Sequence, residues 1–146
     1  MAEKFKIVIN ADGGSRGNPG PAAIGVVVRG EGKEKKYGEF IGTRTNNEAE
    51  YEAVIFALKK TRQLFGKDKT KKSEAEVFLD SELVVNQLTA KYKIEEEKLF
   101  PLFIKVWNLK QDFGKINFFA VPREKNREAD RLVNQALDKK EQGSIF

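Results

Sequence analysis

Four carboxylates occupy places where a folded chain would rather put another residue. Asp12 ends the apolar run IVINA, and Asp80 ends the short run VFL. Glu50 falls between Ala57 and Val54 inside the apolar arc of a helical segment, and Asp130 lies next to Leu137 at the edge of another. A buried carboxylate without a partner is strongly disfavoured, so such placements call for a cation or a set of hydrogen bonds. Taken singly, each acid has a simpler role open to it. Asp12 before Gly13 suits a turn, Asp80 before Ser81 a helix cap, and Asp130 the first turn of a helix dipole. Glu50 could be a helix-surface acid, as Glu48 and Glu52 are expected to be. The 146 residues include no cysteine and no histidine. That excludes disulfides, thiolate zinc sites, cysteine nucleophiles, Ser-His-Asp chemistry, imidazole bases and haem ligation. An enzyme built from this chain must work with carboxylates, amines, hydroxyls or metals.

The elements that carry the acids can be read from periodicity. Residues 4–11 and 22–29 suit strands, and a third is expected around Tyr37 to Thr43 after the turn GEGKEKK, giving an antiparallel meander. From Asn47 to Phe65 the pattern is helical, with Tyr51, Val54, Ile55 and Leu58 on one face and Glu52, Lys59 and Lys60 off it. A basic loop around Gly66 follows. Residues 75–79 form a short strand, and helices are expected over 81–90 and over Glu97 to Phe113, with Pro101 in a tolerated first-turn position. Trp107 in the latter is assigned to the core. A fifth strand covers Ile116 to Val121, and Asn126 is expected to cap a last helix. The order βββαβααβα implies an α/β fold. It has one five-stranded mixed sheet, three antiparallel then two parallel strands, flanked by helices, in a single domain over 1–146.

That architecture brings the acids together. If the strands ending at Asp12 and Asp80 are parallel neighbours, both acids emerge at the same carboxyl edge, where ligand sites of open α/β sheets lie. Helices starting beside that edge would add Glu50 and Asp130. Four like charges at such distances are tolerable only with divalent cations between them, and all-oxygen ligands favour Mg²⁺ or Mn²⁺ over zinc. Two such ions suit in-line phosphoryl chemistry.

Net charge is +5, from 27 Lys and Arg against 22 Asp and Glu. Residues 59–72 hold seven basic residues and one acid, so the rest of the chain is close to neutral. With a helix rise of 1.5 Å, that segment would end roughly 24 Å from the acids and serve solubility or a peripheral contact rather than the groove. No apolar run approaches the ~20 residues of a membrane span. A cytoplasmic monomer without membrane contact is expected.

Four segments, ADGGSRGNPGPAAIG (11–25), TNNEAEYEA (45–53), LDSELVVNQL (79–88) and VPREKNREADRL (121–132), together resemble type 1 ribonuclease H in order and spacing. The resemblance implies a ribonuclease H-like fold and a metal-dependent endoribonuclease. Such an enzyme cleaves the RNA strand of RNA/DNA hybrids with two Mg²⁺ ions and leaves 3′-hydroxyl and 5′-phosphate ends. It implies Asp12, Glu50, Asp80 and Asp130 as catalytic metal ligands, with Glu50 rather than Glu48 as the matching glutamate. It further implies substrate contacts by Gly13, Gly14, Ser15, Asn18, Thr45, Asn46 and Asn47. Glycines let backbone approach the RNA 2′-hydroxyls, and asparagines suit minor-groove edges, which carry little sequence information. The alternative role for the asparagines is capping, with Asn46 or Asn47 starting the helix.

Two features depart from the family's pattern. Members often carry a histidine before the last catalytic aspartate, whereas PREKNRE has none, Glu124 and Lys125 being the nearest substitutes. The basic, Trp-rich protrusion of some members is absent, which leaves Lys91, Tyr92 and Lys93 as the available hybrid contacts in that stretch. The tail over 139–146 ends in Ile145 and Phe146; fraying or packing back is expected, with docking to a replication clamp as the alternative. Double-stranded RNA is an additional candidate partner. A non-catalytic hybrid-binding module and a junction resolvase or transposase-type nuclease are the competing readings. The first has no use for four acids, and the second lacks the DGGSRGNPG and TNNxAEY combination.

Overall fold

A computed structural model describes residues 5–143. The strands are β1 (Phe5–Ser15), β2 (Gly20–Gly30), β3 (Lys33–Arg44), β4 (Ser73–Leu79) and β5 (Lys115–Ala120). The helices are α1 (Asn46–Phe65), α2 (Lys67–Lys71), α3 (Glu82–Leu88), α4 (Phe100–Lys110) and α5 (Arg127–Gly143), with 3-10 turns at Glu97–Leu99 and Arg123–Lys125. The sheet order is β3-β2-β1-β4-β5. β1 pairs antiparallel with β2 and parallel with β4; β2/β3 is antiparallel and β4/β5 parallel. The mixed sheet and its change from antiparallel to parallel pairing are those the element order implied.

β2 reads as a continuous apolar run because Ala22 to Val28 are buried on both faces. One face packs against α1, backed by α4, and the other meets α5 over β1 to β3. The main core gathers Ile7, Ile9, Ile24, Tyr51, Val54 and Leu58, and a smaller cluster joins Ala23 to Val133 and Leu137.

Four local expectations need correction. The cap of α1 is Thr45, not Asn46 or Asn47. Its hydroxyl accepts from the Glu48 amide while the Glu48 carboxylate accepts from the Thr45 amide, a reciprocal pair that satisfies two otherwise orphaned donors. The stretch around Gly66 is not wholly a loop. Gly66, at φ +86°, ends α1, and the next five residues form α2. The third strand begins four residues earlier than expected, because the hairpin turn is confined to Glu31 and Gly32. Trp107 is 54% exposed rather than in the core. α4 spends its buried side on Val106, flanked by Leu102, Phe103 and Leu109, and Trp107 is turned about 100° away from Val106.

The helix expected over Glu97 to Phe113 begins as a 3-10 turn and is α-helical only from Phe100 to Lys110. The segment expected to form a tail from residue 139 is helical through Gly143, so α5 includes its first part. Ile145 and Phe146, and with them the docking alternative, lie outside the described residues. Among the described residues, no helix is long and apolar enough to cross a membrane.

Candidate active site

Parallel pairing of β1 with β4 stops at Asn10–Phe78, while β1 continues with β2 as far as Ser15. The strands part there, and the acids occupy the gap. Asp12 comes from β1, and Asp80 follows the last residue of β4. There Ser81 caps α3 by accepting from the Val84 amide. Glu50 comes from the second turn of α1 and Asp130 from the first turn of α5. One oxygen each from Asp12, Glu50 and Asp80 lies within 4.8 Å of the others. Asp130 is outside that triad, but its charge, like that of Asp80, acts on Asp12.

Close approach of the elements depends on two glycines. A Cβ on Gly13 would lie 2.0 Å from the Ala49 carbonyl oxygen, so only glycine lets β1 pass directly beneath the turn that carries Glu50. A Cβ on Gly25, the strand partner of Asp12, would lie 2.1 Å from the Ala129 carbonyl oxygen beside Asp130. Tyr51 adds a lock next to Glu50, its buried hydroxyl donating to Gln87 Oε1 at 2.7 Å to join α1 to α3.

Electrostatics follow from burial. Asp12 is 4% exposed and Glu50 9%. Desolvation first, then the charges of Asp80 and Asp130, push the Asp12 carboxyl from 3.8 up to about 8. Desolvation, then Asp12 and Asp80, holds the Glu50 carboxyl well above its usual range, only partly offset by a hydrogen bond from the Gly13 amide. Glu50 Oε2 is buried with no hydrogen-bond partner. Arg123 is the nearby cation, with Nε 3.7 Å from Asp80 Oδ2 and a side chain 76% exposed.

Of the remaining residues singled out in the sequence, Asn46 and Asn47 line a cleft of about 780 Å³ together with Glu50, Asp80 and Arg123, and Gly13, Gly14, Ser15, Asn18 and Thr45 are not part of that lining. The Asn46 side-chain oxygen accepts from the Ser15 amide at 3.1 Å and its hydroxyl at 3.0 Å, and the Asn46 amide donates to Asn18 Oδ1 at 3.0 Å. Asn47 Nδ2 donates to Glu96 Oε1 at 2.9 Å. Gly14 is not crowded: a Cβ placed there would meet Val133 Cγ1 at 3.6 Å, an ordinary packing contact. Asn126 does not spend its side chain as a cap: it is bonded to β1 instead. Arg123, Gly25 and the Asn126 tie were not assigned roles from sequence. Gly25 could be noticed as a glycine interrupting an apolar strand; the other two act across the fold and leave no local pattern.

A family model described as reverse transcriptase-like matches residues 10–136. Bifunctional protein Rv2228c of Mycobacterium tuberculosis is 42% identical over 137 residues, covering 92% of this chain but 36% of the relative's length. Ribonuclease HI of Halobacterium salinarum is 42% identical over 129 residues, 87% of this chain and 62% of that protein. The chain therefore spans only part of the length of these relatives. Among solved structures, LC11-RNase H1, isolated from compost by a metagenomic approach, superposes with a TM-score of 0.85 at 46% identity, covering 92% of this chain and 97% of that one. The same protein in complex with an RNA/DNA hybrid gives a TM-score of 0.84 at 45% identity, covering 92% and 98%. With the five-stranded mixed sheet and the meeting of acids from β1, α1, β4 and α5, these similarities show that the chain belongs to the type 1 ribonuclease H family.

Proposed function

We propose that the chain is an endoribonuclease that hydrolyses the RNA strand of RNA/DNA hybrids. Asp12, Glu50, Asp80 and Asp130 would hold two divalent cations, Mg²⁺ with Mn²⁺ as a substitute, and the products carry 3′-hydroxyl and 5′-phosphate ends. The observation that carries the reading is the acid triad of buried Asp12 and Glu50 with partly buried Asp80, and its unpartnered Glu50 oxygen. A buried carboxylate oxygen of this kind calls for a partner, and a cation supplies one. The donor set is all oxygen, which fits a hard divalent cation. Bound there, the ions supply an activated water and a counter-charge for the departing oxygen.

The chain's own residues then bind and orient the substrate. Ser15 holds the Asn46 side-chain oxygen and Asn18 holds its backbone amide, which leaves the side-chain nitrogen of this cleft-lining residue as a donor for base edges or sugars. Gly14 presents backbone with no side chain in the way of a 2′-hydroxyl, the group that separates RNA from DNA. Thr45 fixes the first turn of α1, and with it Asn46, Asn47 and Glu50. Arg123, exposed at the rim, offers a permanent positive charge to a phosphate. The hybrid bound by LC11-RNase H1, the structural relative, supports this choice of substrate.

Asp12→Asn and Asp130→Asn proteins, assayed on a labelled hybrid beside double-stranded RNA and branched DNA, test the assignment. Loss of a ligand should lower kcat on the order of a thousandfold, the equivalent of several kcal/mol of transition-state stabilisation. Undiminished hybrid cleavage by either variant would refute it. Preference for branched DNA in the unaltered chain would point to a resolvase-type activity.

A further inference from the structure

Asn126 lies just outside the acids and is 1% exposed. Its bonds lead to both ends of the acidic cluster. Its side-chain nitrogen donates at 2.9 Å to the Ala11 carbonyl, which belongs to the peptide bond that leads into Asp12. Its side-chain oxygen accepts from Asn10 Nδ2 at 3.0 Å. Its backbone carbonyl accepts from the Asp130 amide at 3.1 Å, as the first hydrogen bond of α5, and its own amide donates to the Arg123 carbonyl at 2.9 Å. Asn10 is held from the far side, where its side-chain oxygen accepts from Arg29 Nη1 at 3.3 Å, and Arg29 pairs with Glu34 at 2.7 Å. Pairing between β1 and β4 ends at Asn10–Phe78, so one residue on, the Ala11 carbonyl meets Asn126 in place of a neighbouring strand.

We propose that Asn126 is a positioning residue that sets the separation of Asp12 and Asp130 and, through it, the affinity of the acid site for divalent cations. The proposal rests on the reading that these acids form the metal site. A primary amide suits the task because donor and acceptor are required at once and at that length. Aspartate would offer no donor to Ala11 and would add another negative charge. Alanine would leave the Ala11 carbonyl without its partner. The acids repel one another across a poorly solvated gap, and that repulsion drives β1 and the first turn of α5 apart. Gly25 permits α5 to lie close to the sheet but does not hold it there. Val133 and Leu137 pack the body of α5 on the sheet, and Asn126 ties its first turn to β1 through bonds to Ala11 and Asp130 together.

The test uses the full chain carrying Asn126→Ala, Asn10→Ala or Asp12→Asn. Mn²⁺ is titrated in, with free ion counted by electron paramagnetic resonance, and hybrid cleavage is measured at one fixed Mg²⁺ concentration below saturation. Residues that orient metal ligands typically change metal affinity by at least about tenfold when removed. Asn126→Ala should therefore bind Mn²⁺ about tenfold more weakly and lose kcat to a similar degree, with the hybrid KM within about twofold. Asn10→Ala, which leaves the Ala11 bond in place, should shift both in the same direction by less than Asn126→Ala does. Folded Asn126→Ala protein with wild-type Mn²⁺ affinity and kcat overturns the proposal. If that variant does not fold, Asn10→Ala decides, and wild-type values there overturn it too. Wild-type Mn²⁺ binding by Asp12→Asn would instead sink the metal-site reading itself.

Discussion

At neutral pH and without a cation, Asp12 and its neighbours cannot all be ionised, because burial and mutual repulsion push Asp12 up to about 8 and raise Glu50 as well. The folded chain thus holds a proton that the unfolded chain, with an aspartate near 3.8, has already released. Stability contributed by these groups is greatest at low pH and is lost as pH rises from about 4 to about 8. Scanning calorimetry in chelator should show Tm falling across this window. Mg²⁺ should raise Tm most at its upper end, where a cation replaces the proton, and Asp12→Asn should flatten the dependence. A Tm indifferent to both pH and Mg²⁺ would contradict this account of the site.

The acids were legible in the sequence because a charged residue inside an apolar period is locally anomalous, as Glu50 is between Ala57 and Val54. Asn126 was not, since its partners Asn10 and Ala11 are 116 and 115 residues away and a capping role explained it locally. Trp107 misled because helical spacing places residues on faces without saying which face finds a neighbour.

Among the elements, β1 can carry Asp12 to Glu50 only because of what its glycines lack, and the two in DGG are not equivalent. Gly13 faces the Ala49 carbonyl, so Gly13→Ala should destabilise the fold by about 1–3 kcal/mol or more and move Glu50. A Cβ on Gly14 would make only an ordinary contact with Val133 at 3.6 Å, so Gly14→Ala should leave stability within about 0.5 kcal/mol and instead raise the hybrid KM. Urea denaturation combined with steady-state kinetics separates them; equal stability losses would remove the distinction. Sequence reading linked both glycines to substrate approach, because close packing between a strand and a helix leaves no trace in either segment alone. The extent of α1, by contrast, was legible almost to the residue. Its apolar face is continuous, and only its cap was displaced, from Asn46 or Asn47 to Thr45.

On the scale of the whole molecule, the basic excess lies away from the acids and is largely engaged within the fold. Lys69 pairs with Glu31 at 2.7 Å, Arg62 approaches Asp112 at 3.7 Å, Lys71 donates to the Gln111 carbonyl, and Lys60 lies over the rings of Tyr37 and Phe56. Lys91 and Lys93, beside the half-exposed Tyr92, line a separate cleft of about 500 Å³ that also includes Glu96, the partner of Asn47. Replacing Lys59, Lys67 and Lys72 by Gln should leave hybrid affinity within about twofold. Replacing Lys91 and Lys93 should weaken it and reduce the slope of log affinity against log salt by about 2, one counterion per phosphate contact. Filter binding across a salt series distinguishes the two; equal slopes for both variants would mean that the duplex reaches the 59–72 segment.

The parting of β1 from β4 beyond Asn10 leaves a gap whose contributors run from residue 12 to residue 130. During synthesis the meander, α1 and β4 emerge first, so Asp12, Glu50 and Asp80 exist together outside the ribosome before α5 does. On the proposed assignment, a nascent chain beside its own messenger is a nuclease without its fourth ligand and without the Asn126 tie. Competence to cut RNA then arrives only once the last described helix has left the exit tunnel and closed over the sheet.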